Sequence, residues 1–186
     1  MKINTLGLFI LTIIVTSAFS LTTSKMDSIF NFSKTSKIDD WRIVNDDVMG
    51  GVSSASFELN NEGNAEFKGN VSTANNGGFA SVRYRFSEKD ITGKTTISIR
   101  LKGDSKFYQF RIKSKSNTYY SYITTFSTSN SWETIKINLK DLYPSFRGRK
   151  LNKENFNESS LEEISFLIGN KKNQSFKLVI DKIEIE

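Results

Sequence analysis

The sequence has no cysteine and no histidine in 186 residues, and its only proline is Pro144. Without cysteine there are no disulfides, no thiolate nucleophile, no thiolate-bound zinc and no iron–sulfur cluster, so burial and hydrogen bonding alone must hold the fold. A chain of this length is long enough to do so as one domain. Without histidine the commonest general base and metal ligand at neutral pH is also missing. Long apolar runs are confined to the start, where Leu6 to Val15 is broken only by Thr12. That run is too short for a spanning helix, which needs about 20 apolar residues.

What the N-terminus does carry is Lys2, the apolar run, and small residues at the −3 and −1 positions of Ala18-Phe19-Ser20. This is the pattern of a cleavable signal peptide over residues 1–20, and it implies an exported protein, periplasmic or secreted, with no transmembrane anchor after cleavage. The first arginine is Arg42, which argues against an arginine-rich mitochondrial presequence. Lys and Arg number 26 against 20 Asp and Glu, a net charge of +6. The basic residues are scattered with acids between them, so nucleic acid is not expected as a partner, while attraction to anionic glycans or lipid headgroups stays open.

Residues 21–37 are Ser/Thr/Lys-rich with isolated phenylalanines and no sustained period, and read as an N-terminal tether or edge segment. The domain proper is expected over 38–186. There the chain alternates with period two: Ala65 to Lys68, Ala80 to Phe86, Thr95 to Lys102, Phe107 to Lys113, Tyr119 to Phe126, Trp132 to Leu139 and Ser175 to Glu186. Turn residues such as Gly77-Gly78, Gly93 and Gly103-Asp104 separate these segments. Many short strands without helical patterns between them predict an all-β antiparallel sandwich or jelly roll. Helix is limited to one or two short pieces, the best candidate lying within Asn152 to Leu161, and both Trp41 and Trp132 are expected in the core.

One segment, Trp41 to Ser53, does not look like generic strand and turn: it reads Trp-Arg-Ile-Val-Asn-Asp-Asp-Val-Met-Gly-Gly-Val-Ser. Further along come Phe67 to Ser72, Asn75-Asn76-Gly77-Gly78-Phe79-Ala80-Ser81-Val82-Arg83, Lys102-Gly103-Asp104, Tyr108, Trp132 and Phe146-Arg147-Gly148-Arg149. In residues and order these resemble the signature of the complex I intermediate-associated protein 30 family over roughly Ile38 to Glu186. One departure is Ser105, where the family often continues with a glycine. The resemblance implies a galactose-binding-like jelly roll and, from the mitochondrial members, a chaperone role in respiratory complex I assembly.

The motif residues admit two readings each. Asn45, Asp46 and Asp47 can accept hydrogen bonds from backbone amides and close a turn, leaving Met49 to point inward. The same acids, Asp46 and Asp47, are where a hard cation such as calcium would bind, but two adjacent carboxylates fall short of the six to eight oxygens it needs, so no metal site is assigned. Neighbours in an extended segment also point to opposite faces, which suits them poorly to glycoside hydrolysis as a pair. Gly50-Gly51 and Gly77-Gly78, with Asn76, read as positions of positive φ or close backbone approach that shape a rim. Arg83 and Arg111, together with Gln109 and Tyr108, are expected on one polar sheet face, and Arg147 adds a further cation. On these grounds the first reading is a monomeric, non-enzymatic assembly or protein-binding module without a cofactor. The second is a carbohydrate-binding domain, and the last a carboxylate hydrolase.

Overall fold

Period-two alternation becomes thirteen strands within residues 26–186, the part of the chain that this computed structural model describes. The signal-peptide expectation lies outside the described residues, as do the side chains of Val48 and Met49. No helix among the described residues is long and apolar enough to cross a membrane.

The strands are β1 (Asp27–Asn31), β2 (Trp41–Ile43), β3 (Ser54–Leu59), β4 (Ala65–Val71), β5 (Ala80–Asp90), β6 (Thr96–Lys102) and β7 (Phe107–Lys113). They continue as β8 (Ser121–Ser127), β9 (Trp132–Asn138), β10 (Tyr143–Phe146), β11 (Arg149–Lys150), β12 (Ser160–Ile168) and β13 (Gln174–Ile185). One antiparallel sheet runs β3-β4-β13-β6-β9, with β1 added on β13, and the other runs β11-β10-β8-β7-β12-β5-β2. Their inner faces bury Phe67, Ile97, Ile99, Leu101, Phe110, Ile164, Phe166 and Leu178 almost completely. This is the expected all-β, galactose-binding-like sandwich.

Three expectations need correction. Within residues 21–37 the tether expectation gives way to its edge-segment alternative over residues 27–32, because β1 pairs with β13 from Asp27 opposite Ile185 to Asn31 opposite Lys182, and Phe32 is 5% exposed in the core. A register shift between Ser28 and Phe30 breaks the alternation there, which hides the strand from a period-two reading. Asn152 to Leu161 holds no helix; the described residues contain only short 3-10 turns at Asp46–Met49, Ala74–Asn76 and Leu139–Asp141. Phe156 pins that segment instead, its amide donating to Leu142 O at 2.9 Å and its ring edge-on to Tyr122. Its asparagines favour such loop geometry over helix. Trp132 lies on the outer face of its sheet, with the Arg100 guanidinium over its ring, while Trp41 is buried as expected.

Trp41 ties the two sheets together. Its ring stacks on Tyr84 of β5 at 4.9 Å on one side and on Phe57 of β3 at 4.8 Å on the other. Phe30 and Phe32 close the cluster at 5.5 and 5.4 Å. Phe32→Ala is therefore expected to lower unfolding free energy by about 3–5 kcal/mol, read by guanidinium titration. An unchanged midpoint would return the segment to the status of a tether.

Candidate functional site

The outer face of the seven-stranded sheet is set by the register of β5, β12, β7 and β8. Ser165 stands opposite Arg83 on one side and Arg111 on the other, and the row continues to Ile123 of β8 and Tyr143 of β10. One row away, Leu167 faces Ser81 and Gln109; on the other side Glu163 faces Arg85 and Lys113. Because side chains alternate across a strand, these residues share one face while Val82, Phe110, Ile112 and Phe166 fill the core. Ser81, Ser121 and Ser145 keep the floor low, and the longer side chains around them enclose a groove of about 840 Å³.

Two loops raise its walls. Phe146 opposite Arg149 closes a hairpin whose two central residues, Arg147 and Gly148, have φ of 48° and 75°. That pair of positive φ values matches a type I′ turn and places Arg147 on the rim, its guanidinium over Phe146. Tyr119, 61% exposed, meets Phe146 edge-to-face at 5.3 Å. On the other side stand Thr73, Asn76, Gly77, Gly78 and Phe79.

The second wall is held by one carboxylate. Asp46 is fully buried; its Oδ1 accepts from the Ser53 amide at 3.0 Å, and its Oδ2 accepts from the Ser53 hydroxyl at 2.6 Å and the amides of Gly78 and Phe79 at 2.6 and 3.2 Å. Ser53 in turn accepts from the Ser72 amide at 3.0 Å. A Cβ at Gly77 would lie 2.5 Å from Asp46 Oδ2, and one at Gly51 would overlap the same carboxylate. The Asp-Asp, Gly-Gly and Asn-Gly-Gly motifs are thus one packed unit. Burial by itself would raise the Asp46 carboxyl, but the bonds from the Ser53 hydroxyl and the amides of Gly78, Ser53 and Phe79 outweigh it and hold the pKa below the ordinary value.

The groove is strongly cationic. Arg83, Arg111, Lys113, Arg147 and Lys171 line it without a single lining carboxylate. Glu163, its side chain 2% exposed, lies beneath, 3.2 Å from Arg83 Nε and 2.7 Å from Arg85 Nε. Arg111 instead donates from Nε and Nη2 to the Gln109 amide oxygen at 3.1 and 2.6 Å. Burial, with the charge of Arg83, lowers its pKa although Tyr143 opposes this. Burial lowers Lys113 as well; Glu163 opposes that shift, and Arg83 and Arg85 add to it.

Of the residues marked out by sequence, Asn76, Gly77, Gly78, Arg83, Arg111 and Arg147 line the groove, and Asp46 and Gly51 support its wall. Gly50 closes the Asp46–Met49 turn with φ of 87°, and Asn45 is buried beside it while Asp47 is exposed. Asp46 spends its oxygens on hydrogen-bond donors, as the turn reading expects of it, whereas Asn45 Oδ1 is buried without a hydrogen-bond partner among the described residues. Tyr108 does not belong to the polar face: it is 1% exposed in the core, its hydroxyl donating to Asp104 Oδ1 at 2.9 Å, and burial and Asp104 push its pKa far up. Phe107 takes the outward position, reversing the polarity expected of that pair. Glu163, Ser165, Lys113 and Lys171 escaped the motif search; the outward spacing of Glu163, Ser165 and Leu167 through an apolar run was their available signal.

Asp46→Asn is expected to destabilise the domain by about 2–3 kcal/mol near neutral pH, the scale of hydrogen bonds to a charged group. Folding lowers the Asp46 pKa, so its contribution is complete above the ordinary carboxylate value near 4 and is lost as pH falls below that value. The stability difference between wild type and variant, read by urea titration at stepped pH, should therefore shrink in acid; a difference constant down to about pH 2 would contradict the assignment. Gly51→Ala, by overpacking the same carboxylate, should cost about 1–3 kcal/mol, and an unchanged melting temperature would show that the contact can relax.

Solved structures with this fold include a family 11 carbohydrate-binding module from Clostridium thermocellum in complex with a beta-1,3-1,4-mixed-linked tetrasaccharide. It is 18% identical, with 86% of this chain and 94% of that chain aligned at a TM-score of 0.64. The same module of the cellulosomal cellulase Lic26A-Cel5E of that organism aligns at 0.64 and 18% identity, over 87% and 94% of the two chains. An agarase aligns at 0.60 and 12% identity, over 87% of this chain but 24% of its own. At these identities the likeness is one of fold. No curated protein matches the chain in sequence. Residues 30–180, from the end of β1 into β13 and including every groove residue named above, match the family described as complex I intermediate-associated protein 30, and the chain belongs to that family.

Proposed function

We propose that the chain is an exported, non-catalytic binding domain that holds a polysaccharide chain in the groove over β5, β12, β7 and β8. The observation that carries this is the composition of the groove. Its floor offers fixed polar groups on Arg83, Gln109 and Arg111 over small serines, and its rim offers the exposed Tyr119–Phe146 pair. Directional donors below and an aromatic wall beside them suit a ring-shaped, hydroxyl-rich ligand. The likeness in fold to a module solved with a bound tetrasaccharide supports this reading. Hydrolysis by a carboxylate pair would need two acids facing the ligand, whereas among the described residues no acid lines the groove: Asp46, behind its wall, is buried and bonded to Ser53, Gly78 and Phe79, and Glu163 is buried and ion-paired to two arginines.

Family membership favours a second reading, assembly of a protein partner. The groove supports it less well, because a protein interface centres on a buried apolar patch, and of the exposed large apolar residues of the described chain only Tyr119 and Phe146 line the groove, at its rim, while Met26, Val52 and Phe107 lie outside it. The sequence alone ranks these two readings in the opposite order, since it does not reveal the groove.

Affinity electrophoresis in gels cast with a panel of soluble polysaccharides tests the proposal. At least one polymer should retard the protein, and Tyr119→Ala should weaken that binding about tenfold, the scale of one aromatic contact. Failure of every polysaccharide to retard the wild type would overturn it.

A further inference from the structure

The groove gathers five cations, and no carboxylate of the described residues lines it. On the other sheet most outward bases meet an acid: Lys68 pairs with Glu58 and, at 2.7 Å, with Glu66, and Lys177 pairs with Glu66 at 2.5 Å. Arg100 pairs with Asp181 at 2.7 Å on that same sheet. In the groove, Arg83 shares Glu163 with Arg85, and among the described residues that is the one ion pair made by a lining cation. Lys113 donates to a neutral acceptor, Thr118 O, at 2.6 Å, and Arg147 lies over an aromatic ring. Arg111, Lys113, Arg147 and Lys171 have no ion pair among the described residues.

Arg111 is the most telling of these. A partly buried guanidinium away from a carboxylate is unfavourable unless something else completes its surroundings. The Gln109 oxygen takes two of its five N–H groups and fixes the plane of the fork. The remaining donors are oriented before any ligand arrives. Across Ser165, Arg83 stands two strand spacings away, about 9–10 Å along the row. A planar, pre-oriented fork is the geometry that grips a carboxylate in bidentate fashion.

Building on the polysaccharide reading, we infer that the ligand is an acidic polysaccharide, a uronate-bearing chain whose carboxylates engage Arg111 at the groove floor and Arg147 at its rim. Neutral glycans would leave four cations of the groove unmatched. The depressed pKa of Arg111 agrees with a site that stabilises its charge only when an anion is bound. An acidic polypeptide carries carboxylates too, but its apolar backbone-flanking side chains find one aromatic pair and a serine floor here, whereas sugar rings meet hydroxyl, amide and guanidinium donors throughout.

Calorimetric titration of the protein with polygalacturonate oligosaccharides, a neutral mixed-linked glucan, sulfated dextran and polyglutamate separates the possibilities. The uronate should bind at least about tenfold more tightly than the neutral glucan. Arg111→Gln should weaken uronate binding about tenfold more than it weakens glucan binding, and Arg147→Gln should lose about threefold on the uronate. The melting temperature of Arg111→Gln should equal or exceed wild type, since an unpaired buried charge is removed; a marked fall would make Arg111 structural and overturn its role. Equal binding of uronate and glucan, with Arg111→Gln affecting both alike, would sink the acidic preference while leaving the polysaccharide reading intact. Tighter binding of sulfated dextran that ignores Arg111→Gln would replace the fork by diffuse charge attraction and also overturn the inference. Polyglutamate matching the uronate would overturn both readings in favour of an acidic protein partner, and no binding by any polymer would overturn the polysaccharide reading itself.

Discussion

The carboxylate of Asp46 is the constraint on which the groove depends. A buried carboxylate is tolerated only when its oxygens are saturated, and here the saturating donors come from two other segments of the chain, Ser53 and the Gly78-Phe79 amides. Closing that set brings the turn at Asp46–Met49, the start of β3 and the lead-in to β5 to one point. Glycine is required at 51 and 77 because the carboxylate occupies the space a Cβ would take. Asn75 and Asn76, at φ of 54° and 60°, turn the chain in between, an excursion that asparagine tolerates better than most residues. Thr73 is secured at the same loop by Asn173, whose side-chain oxygen accepts from its amide at 2.8 Å. In this chain the Asp-Asp, Gly-Gly and Asn-Gly-Gly motifs therefore build one wall of the groove.

The two outer sheet faces then show what the chain does with its positive charge. On the six-stranded sheet Lys68, Lys136, Lys177 and Lys182 each meet a glutamate, and exposed pairs of that kind contribute little to stability. In the groove of the seven-stranded sheet the lining holds five cations and no acid of the described residues, and Glu163, paired to Arg83, is buried. A net charge of +6 spread evenly would say nothing about function; its concentration at a concave surface focuses the field where a ligand enters.

Strand alternation made the sandwich legible from Ala65 onward, because half-buried strands print their period directly on the sequence. It failed where geometry is irregular: at β1, where a bulge interrupts the period, and at the two-residue β11, which is too short to show one. The pairing of Asp46 with Gly51 and Gly77 was not legible, since the residues are brought together by folding and each alone reads as a turn. Arg83 and Arg111 could be assigned to an outward face from alternation, but their placement on either side of Ser165 needs the strand order β5-β12-β7, which local pattern does not contain. Tyr108 was misplaced for a related reason. Its polar hydroxyl suggested the outer face, and only the tertiary position of Asp104 supplies the buried partner that lets the whole ring turn inward.

The central claim is that this face of the seven-stranded sheet receives the ligand. Its most direct test is a crystal structure of the protein soaked with an acidic oligosaccharide of several sugars. Density for sugar rings across the Arg83–Ser165–Arg111 row, with a carboxylate on the Arg111 fork and a ring against Tyr119, is the predicted result. A ligand seated on the six-stranded sheet, or at the sandwich edge away from Arg111, would contradict it.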